Sequence, residues 1–266
     1  MAQRPIGMFD SGFGGLTVAR ALIDLMPNED LVYIGDTGRY PYGSKPADEV
    51  REYAREIAWS LVRDFNVKAI VVACNTASAV AFETLRNEIP VPVLEVINPG
   101  AKSLVKATRN KNVGVIGTVG TVSSGAYVRA VAATGADVVL TSAACPGFVE
   151  FVERGHTSGD EVTVLAERLL APVRAANVDA LLLGCTHYPY LARVISEVMG
   201  PNVVLVSSAD ETAFAVREEL MDAGMVSNEA PGVHTFLSSG DVAWFAELGG
   251  KLLGPELNDA KLWSPS

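Results

Sequence analysis

Short apolar segments alternate with longer amphipathic segments along most of the chain. The segment IGMF (6–9) precedes the helical pattern LTVARALIDLM (16–26), and LVYIG (31–35) precedes a helix that runs through Trp59. Further strands are predicted at 69–73, 91–96, 112–117, 137–141, 180–184, 202–206 and 233–238. Continuous apolar strands separated by helices are typical of parallel sheets that are covered on both faces. The pattern therefore predicts an α/β fold with mainly parallel sheets.

Two motifs occur once in each half of the chain. GMFDSGFGGLTV (7–18) and GVIGTVGTVSSG (114–125) each lead from a short strand into a loop of Gly with Ser or Thr. AIVVACNTAS (69–78) and ALLLGCTHYP (180–189) each end an apolar strand with Cys and then polar residues that could cap a helix. Ser11 and Thr118 are 107 residues apart, and Cys74 and Cys185 are 111 residues apart. These similar offsets indicate a duplicated unit.

The repeat predicts two pseudo-symmetric α/β domains with the active site in the cleft between them. The first domain comprises 1–97 together with 208–266 and carries Cys74, and the second comprises 98–207 and carries Cys185. The C-terminal segment, which contains Trp244 and Trp263, is expected to return to the first domain.

Composition and charge narrow the functional classes. A chain of 266 residues that is 49% hydrophobic can form a large core or two smaller ones. The net charge of −10 argues against nucleic-acid binding, which needs concentrated Lys and Arg. The N-terminus MAQRPIGMFD has no signal-peptide pattern, and no segment has the roughly 20 apolar residues that span a bilayer. We therefore expect a cytoplasmic protein with no membrane or nucleic-acid contact.

The cysteines of the repeated motifs are candidate catalytic groups. Ligands of open parallel sheets bind at the carboxyl ends of the strands, where Cys74 and Cys185 both lie. Two such thiols that face one carbon could remove a proton from one side and return one to the other. Asp10 and His187 are candidate helpers of the first and second thiol. Cys145, outside the repeat, is predicted to be a buried apolar residue, and His156 and His234 to be surface or loop residues.

The glycine-rich loop DSGFGG (10–15) has three interpretations. It lacks the GK[ST] ending of a P-loop and a full GxGxxG, so a nucleotide is disfavoured. Its amides could instead hold a carboxylate, or the glycines could only permit a tight turn.

With these residues in view, the sequence closely resembles the glutamate racemase family. The resemblance spans nearly the whole chain and rests on DSGFGGLTV, GDTGRYPYG (35–43), ACNTAS (73–78), GVIGTVGT (114–121) and GCTHYP (184–189). It implies cofactor-independent interconversion of L- and D-glutamate, which supplies D-glutamate for peptidoglycan and so for the bacterial cell wall and cell shape. It also implies a homodimer, and some members inhibit DNA gyrase.

The resemblance also implies roles for individual residues. Cys74 would act on the D enantiomer and Cys185 on the L enantiomer, with no pyridoxal phosphate and no metal. Asp10, Glu153 and His187 would tune the thiols or the protonation of the site. The implied substrate contacts are Asp10, Ser11, Tyr42, Gly43, Asn75, Thr76, Thr118, Thr121, Thr186 and His187. For Tyr42 the alternative interpretation is a loop residue that covers the core.

The sequence is also compatible with three other functions. Cys74, Cys145, Cys185 and His187 could bind zinc or act in redox chemistry, although the usual short ligand spacings are absent. The substrate could be aspartate, although GCTHYP and PYG favour glutamate. An acidic surface could also serve a binding or regulatory role, such as gyrase inhibition.

Overall fold

The computed structural model of the chain describes residues 2–227, 231–254, 257 and 259–264. The chain folds into two compact units. The first consists of the described residues of Met1–Val96 and Ala209–Ser266, and the second is Ile97–Ser208. The predicted domain boundaries lie between residues 97 and 98 and between residues 207 and 208. Met1 and residues 228–230, 255–256, 258 and 265–266 of the predicted first domain lie outside the described residues.

The first unit contains a six-stranded parallel sheet in the order β10-β9-β2-β1-β3-β4. Its strands are β1 (Ile6–Asp10), β2 (Leu31–Gly35), β3 (Ala69–Val72), β4 (Val93–Glu95), β9 (His234–Ser238) and β10 (Lys261–Leu262). Its helices are α1 (Leu16–Leu25), α2 (Ala47–Phe65), α3 (Asn75–Glu88), α11 (Ala209–Asp222) and α12 (Val242–Leu253).

The second unit contains a four-stranded parallel sheet in the order β6-β5-β7-β8. Its strands are β5 (Asn112–Gly117), β6 (Val139–Ala144), β7 (Ala180–Gly184) and β8 (Val204–Val206). Its helices are α4 (Ile97–Ala107), α5 (Val119–Ser123), α6 (Ala126–Ala133), α7 (Phe148–Glu153), α8 (Asp160–Leu169), α9 (Ala171–Ala175) and α10 (Ala192–Met199). The prediction of an α/β fold with parallel sheets is confirmed.

The central strands form because they are continuously apolar. Every residue of β1, β2, β3 and β7 is buried, so each strand faces helices on both sides of its sheet. The strand order β2-β1-β3-β4 of the first unit matches the order β6-β5-β7-β8 of the second. β1 and β5 are thus equivalent, as are β3 and β7, which precede the two repeated cysteines.

The C-terminal segment belongs to the first unit. β9 pairs with β2, and β10 pairs with β9. Trp244 packs edge-on against Phe13 at 5.4 Å, and the indole of Trp263 donates a hydrogen bond of 2.9 Å to the hydroxyl of Ser60. A buried Trp needs a polar partner for its ring N–H group, and Ser60 provides one.

Two features differ from the predictions. β10 has only two residues, both exposed, so no apolar run predicts it. His234 lies in the strand predicted at 233–238 and begins β9, where it is half-buried, so the prediction of a surface or loop residue is wrong. It belongs to the strand because its backbone continues the parallel pairing with Leu31. His156 is exposed, as predicted. Within the described ranges, no helix is long and apolar enough to cross a membrane.

Candidate active site

Cys74 follows β3 and caps the N-terminus of α3. Its backbone is extended, with φ −70° and ψ 120°, and its sulfur accepts a hydrogen bond of 3.5 Å from the amide of Ala77. The thiol also donates to the hydroxyl of Ser11 across 3.7 Å. The N-terminus of a helix carries partial positive charge, and α3 has 14 residues. The helix end and the Ala77 amide therefore stabilise negative charge on this sulfur.

Asp10 shapes the glycine-rich loop beside Cys74. The carboxylate is fully buried and accepts a 2.8 Å hydrogen bond from the amide of Gly12. The Gly12 carbonyl accepts a hydrogen bond from Tyr33. A methyl group at Gly15 would lie 2.7 Å from Cβ of Asp10 and 2.8 Å from the Tyr33 hydroxyl, so only glycine fits there. The amide of Gly12 is thus engaged by a carboxylate of the protein itself.

The Tyr42 side chain is a buried anchor for the loop that follows β2. It is 1% exposed, lies in the same apolar cluster as Cys74, and donates a hydrogen bond to the carboxylate of Asp36. Arg39 and Ser239 donate to that carboxylate at 2.7 and 2.6 Å. Burial, and then the charge of Asp36, raise the pKa of Tyr42 well above its ordinary value. The ring therefore has the core-covering role that the sequence offered as an alternative.

Sequence reasoning missed Asp36 and Arg39, which support the loop that carries Tyr42. Both lie in the motif GDTGRYPYG, and Asp36 follows the end of β2 as Asp10 ends β1. The amide of Asp36 donates to the carbonyl of Asp10, which extends the sheet pairing beyond the strand ends. A polar residue directly after an apolar strand was the signal that could have identified Asp36.

Cys185 follows β7 and lies beside an imidazole. The sulfur is 3.9 Å from Nδ1 of His187, and Nε2 of His187 is 3.1 Å from Oε1 of Glu153 at the end of α7. His187 is 2% exposed, and the side chain of Glu153 is 11% exposed. This buried thiol–imidazole–carboxylate series can take up or release a proton at the sulfur.

The chain after Cys185 does not begin an α-helix, unlike the chain after Cys74. Residues 188–191 form a 3-10 turn, and α10 starts only at Ala192. Pro189 lies in this turn, where its missing amide hydrogen costs little. The second cysteine therefore precedes a 3-10 turn, whereas the first caps an α-helix.

Small polar residues follow the strands in both units. In the first unit, Ser11, Asn75 and Thr76 are buried and Gly43 is half-buried. In the second unit, Thr186 is buried beside Cys185, and Thr118 follows β5. The hydroxyl of Thr118 accepts from the amide of Thr121, and the two hydroxyls are 3.0 Å apart. Such groups can hold carboxylates and an ammonium.

Cys145 is the buried apolar residue that the sequence predicts. It is 1% exposed, and burial and the neighbouring Cys185 raise its pKa to about 12. The thiol therefore remains protonated at neutral pH. In the part of the chain that the structure describes, no group of three or more His, Cys, Asp or Glu side chains is arranged to hold a metal ion.

The chain is similar to known proteins over nearly its whole length. A family model of Asp/Glu/hydantoin racemases matches residues 17–216. This chain belongs to that family. A curated glutamate racemase from Parafrankia sp. is 51% identical over 259 residues, which cover 97% of this chain and 93% of that protein. The resemblance inferred from the motifs is confirmed.

Solved racemase structures share the fold. A glutamate racemase isoform from Bacillus anthracis is 36% identical with a TM-score of 0.93, and covers 100% of this chain and 98% of its own. The Francisella tularensis glutamate racemase, solved in complex with D-glutamate, is 32% identical with a TM-score of 0.93, and covers 100% and 99%. The chain is thus a member of the glutamate racemases, which are isomerases.

The predicted site residues of this racemase follow two equivalent sets of strands, with Glu153 at the end of α7. One set lies in the first unit and comprises Asp10, Ser11, Tyr42, Gly43, Cys74, Asn75 and Thr76. The other lies in the second unit and comprises Thr118, Thr121, Glu153, Cys185, Thr186 and His187. We call them the Cys74 half-site and the Cys185 half-site.

Proposed function

We propose that this chain interconverts L- and D-glutamate by a two-thiol acid/base mechanism without pyridoxal phosphate or metal. The observation that carries the proposal is that equivalent strands, β3 and β7, each present a cysteine with a polar partner that assists proton transfer. Relatives that share about half of the residues of this chain are glutamate racemases, which supports glutamate rather than aspartate as substrate.

The proposed reaction moves one proton at each thiol. With L-glutamate, the Cys185 thiolate takes the α-proton, and the electron pair of the broken C–H bond stays on the substrate as a carbanion. The Cys74 thiol then donates its proton to the opposite face, which yields D-glutamate and a Cys74 thiolate. D-glutamate reacts by the reverse steps. Exchange of both thiols with solvent restores the starting protonation, so solvent hydrogen enters the product.

The polar partners explain how a thiol can serve in this chemistry. An ordinary Cys is only a few per cent thiolate at neutral pH, so a general base of this type needs help. His187, oriented by Glu153, can accept the Cys185 proton. On the other side, the Ala77 amide and the end of α3 stabilise the Cys74 thiolate, and Ser11 accepts its hydrogen bond when it is protonated.

The small polar residues of both half-sites are proposed to hold the substrate. Glutamate has two carboxylates and one ammonium, and charge that develops on its α-carboxylate must be stabilised by oriented donors. The proposed contacts are the hydroxyls, the amide side chain and backbone amides of Asp10, Ser11, Tyr42, Gly43, Asn75, Thr76, Thr118, Thr121, Thr186 and His187. Since the Tyr42 ring is buried and its hydroxyl is bonded to Asp36, we propose that Tyr42 contacts the substrate through its backbone.

The cellular role is proposed on the same basis. D-glutamate from this reaction would supply peptidoglycan synthesis, and hence cell-wall biogenesis and cell shape, by a homodimer in the cytoplasm. Direct nucleic-acid binding is not expected from a chain with a net charge of −10. Inhibition of DNA gyrase stays a prediction from the resemblance.

The proposal is tested with purified protein and each enantiomer of glutamate in deuterated water. We expect the optical rotation of either enantiomer to decay to zero and the product to carry deuterium at the α-carbon. Aspartate should turn over far more slowly, and turnover should survive dialysis against a chelator. Racemisation without deuterium in the product, or turnover that requires added metal or pyridoxal phosphate, would overturn the two-thiol mechanism.

A further inference from the structure

Tyr188 lies next to His187 but has no part in the proposed proton transfers. Its side chain is fully buried, and its hydroxyl donates a 3.0 Å hydrogen bond to the carbonyl of Cys145, 43 residues earlier in the chain. Its ring meets Phe148 edge-on, with centroids 5.3 Å apart and an interplanar angle of 81°. A buried Tyr with one bonded hydroxyl and one aromatic contact therefore connects two distant parts of the chain.

Those contacts connect the Cys185 loop with α7, the helix that carries Glu153. Cys145 directly follows β6, and its amide donates to the carbonyl of Gly117 at the end of β5. The amide of Cys145 is therefore bonded to the sheet, and its carbonyl is bonded to Tyr188. Phe148 is the first residue of α7 and Glu153 is the last. Tyr188 thus contacts the segment that leads into the helix and the first residue of the helix itself.

α7 depends on such contacts for its position. It has only six residues, and a helix of that length is not stable alone. Gly147 before it and Gly155 after it have positive φ values of 93° and 73°, which mark turns at both ends. The helix packs against the 3-10 turn of 188–191. Its placement therefore determines where the Glu153 carboxylate lies.

We infer that Tyr188 is a positioning residue for the reaction, because it holds α7 where Glu153 stays within hydrogen-bond distance of His187. The inference rests on the proposed function, in which His187 serves the Cys185 thiol. The phenol is suited to this task because burial raises its pKa well above the ordinary value, so it remains a donor at any working pH.

Tyr188→Phe removes the hydroxyl and keeps the ring. We expect kcat for glutamate to fall about tenfold with KM nearly unchanged, because a displaced Glu153 orients His187 less well. The loss should not add to that of Glu153→Gln, so the double variant should be about as slow as Glu153→Gln alone. Phe148→Leu, which keeps the hydroxyl but weakens the ring contact, should give a smaller fall in kcat.

Thr108→Val is the matched control. Thr108 donates to Asp179, which precedes β7 at the end opposite Cys185, so its loss destabilises the same unit away from the half-site. We expect wild-type kcat from this variant. The imidazole NMR signals of His187 should shift in Tyr188→Phe and Glu153→Gln and stay in place in Thr108→Val.

The outcomes separate the two proposals. If wild-type protein fails to racemise glutamate while the His187 signals shift as expected, the proposed function fails, although Tyr188 still places Glu153 against His187. If Tyr188→Phe keeps wild-type kcat and unshifted His187 signals, or if its loss multiplies with that of Glu153→Gln, the positioning role is wrong.

Discussion

The Cys74 and Cys185 half-sites share a topology but surround their sulfurs differently. Cys74 caps a 14-residue helix and accepts a hydrogen bond from the Ala77 amide, while Cys185 precedes a 3-10 turn and lies beside His187. Fixed backbone amides therefore serve one thiol, and an imidazole oriented by a carboxylate serves the other. Equivalent strand ends can thus provide the same chemical group with unlike support.

The difference has a physical consequence for the two thiols. Helix amides are always present and neither gain nor lose protons, so their support for Cys74 is constant. Histidine is the side chain whose charge changes near neutral pH, and its orientation depends on a hydrogen bond from another residue. The Cys185 half-site should therefore be the more sensitive to changes in neighbouring side chains.

Replacing either repeated cysteine should have the largest effect. We expect Cys74→Ser and Cys185→Ser each to lower kcat by about 10³-fold, because a serine hydroxyl is a far weaker acid than a thiol and is hardly ever ionised to act as the base. Cys145→Ser is the matched control and should keep nearly wild-type turnover, since that thiol stays protonated with a pKa of about 12. Turnover is measured by polarimetry. Equal losses in all three variants would remove the distinction between the two half-sites and the third cysteine.

Glu153→Gln tests the support of the Cys185 thiol. A neutral amide of the same shape stabilises a charged imidazole less than a carboxylate does, so we expect kcat to fall by about 10- to 100-fold with little change in KM. Steady-state kinetics with both enantiomers measure this. Glu150→Gln, which changes a carboxylate on the same short helix, is the control and should be close to wild type. A rise in KM alone would instead place Glu153 in substrate binding.

Ser11→Ala is the corresponding change at the Cys74 thiol, and it should lower kcat less than Glu153→Gln does. The variant loses the hydroxyl that accepts the Cys74 hydrogen bond, but the Ala77 amide and the helix end remain. We expect kcat to fall by only about 3- to 10-fold. The comparison with Glu153→Gln uses the same kinetic assay. A loss larger than that of Glu153→Gln would reverse our ranking of the two supports.

Tyr42→Phe should mainly change stability. Loss of the hydrogen bond to buried Asp36 should lower the free energy of unfolding by about 1–3 kcal/mol. The folded chain holds the Tyr42 proton more tightly than the unfolded chain, whose pKa is about 10. This contribution is therefore complete below about pH 10 and declines as pH rises further.

Urea unfolding at pH 8 and pH 10.5 measures that contribution. The stability of Tyr42→Phe should decline less than that of wild type between the two values. Tyr53→Phe is the control, since that hydroxyl bonds to Glu49 near the surface, where hydrogen bonds contribute less. Wild-type stability and an unchanged pH dependence in Tyr42→Phe would show that Asp36 does not depend on this donor.

Much of the fold could be predicted because buried parallel strands leave a clear pattern. The apolar segments at 69–73 and 180–184 coincide with β3 and β7 almost residue for residue. β10 could not be predicted, since its two exposed residues pair only because the sheet edge at β9 is available.

The half-sites were predictable where chemistry follows a strand directly. Cys74, Cys185 and His187 are close to strand ends in sequence, so their positions follow from the topology. Glu153 was a candidate only through the family resemblance, and its contact with His187, which spans 34 residues, was not predicted. The Tyr188–Cys145 and Tyr42–Asp36 hydrogen bonds depend on how loops fold back on the sheet, which hydrophobic periodicity does not record.

In the proposed mechanism, each thiol acts on one enantiomer with its own supporting groups. Enantiomers have equal free energy, so kcat/KM must be equal in both directions and rates alone cannot locate a thiol. Primary deuterium isotope effects can, because they grow as breaking of the C–H bond becomes rate-limiting.

The decisive measurement is the isotope effect with α-deuterated L- and D-glutamate in Glu153→Gln and Ser11→Ala. Glu153→Gln should raise the effect with L-glutamate and lower it with D-glutamate, and Ser11→Ala should do the reverse. Equal changes in both directions for both variants would contradict the assignment of one thiol to each enantiomer.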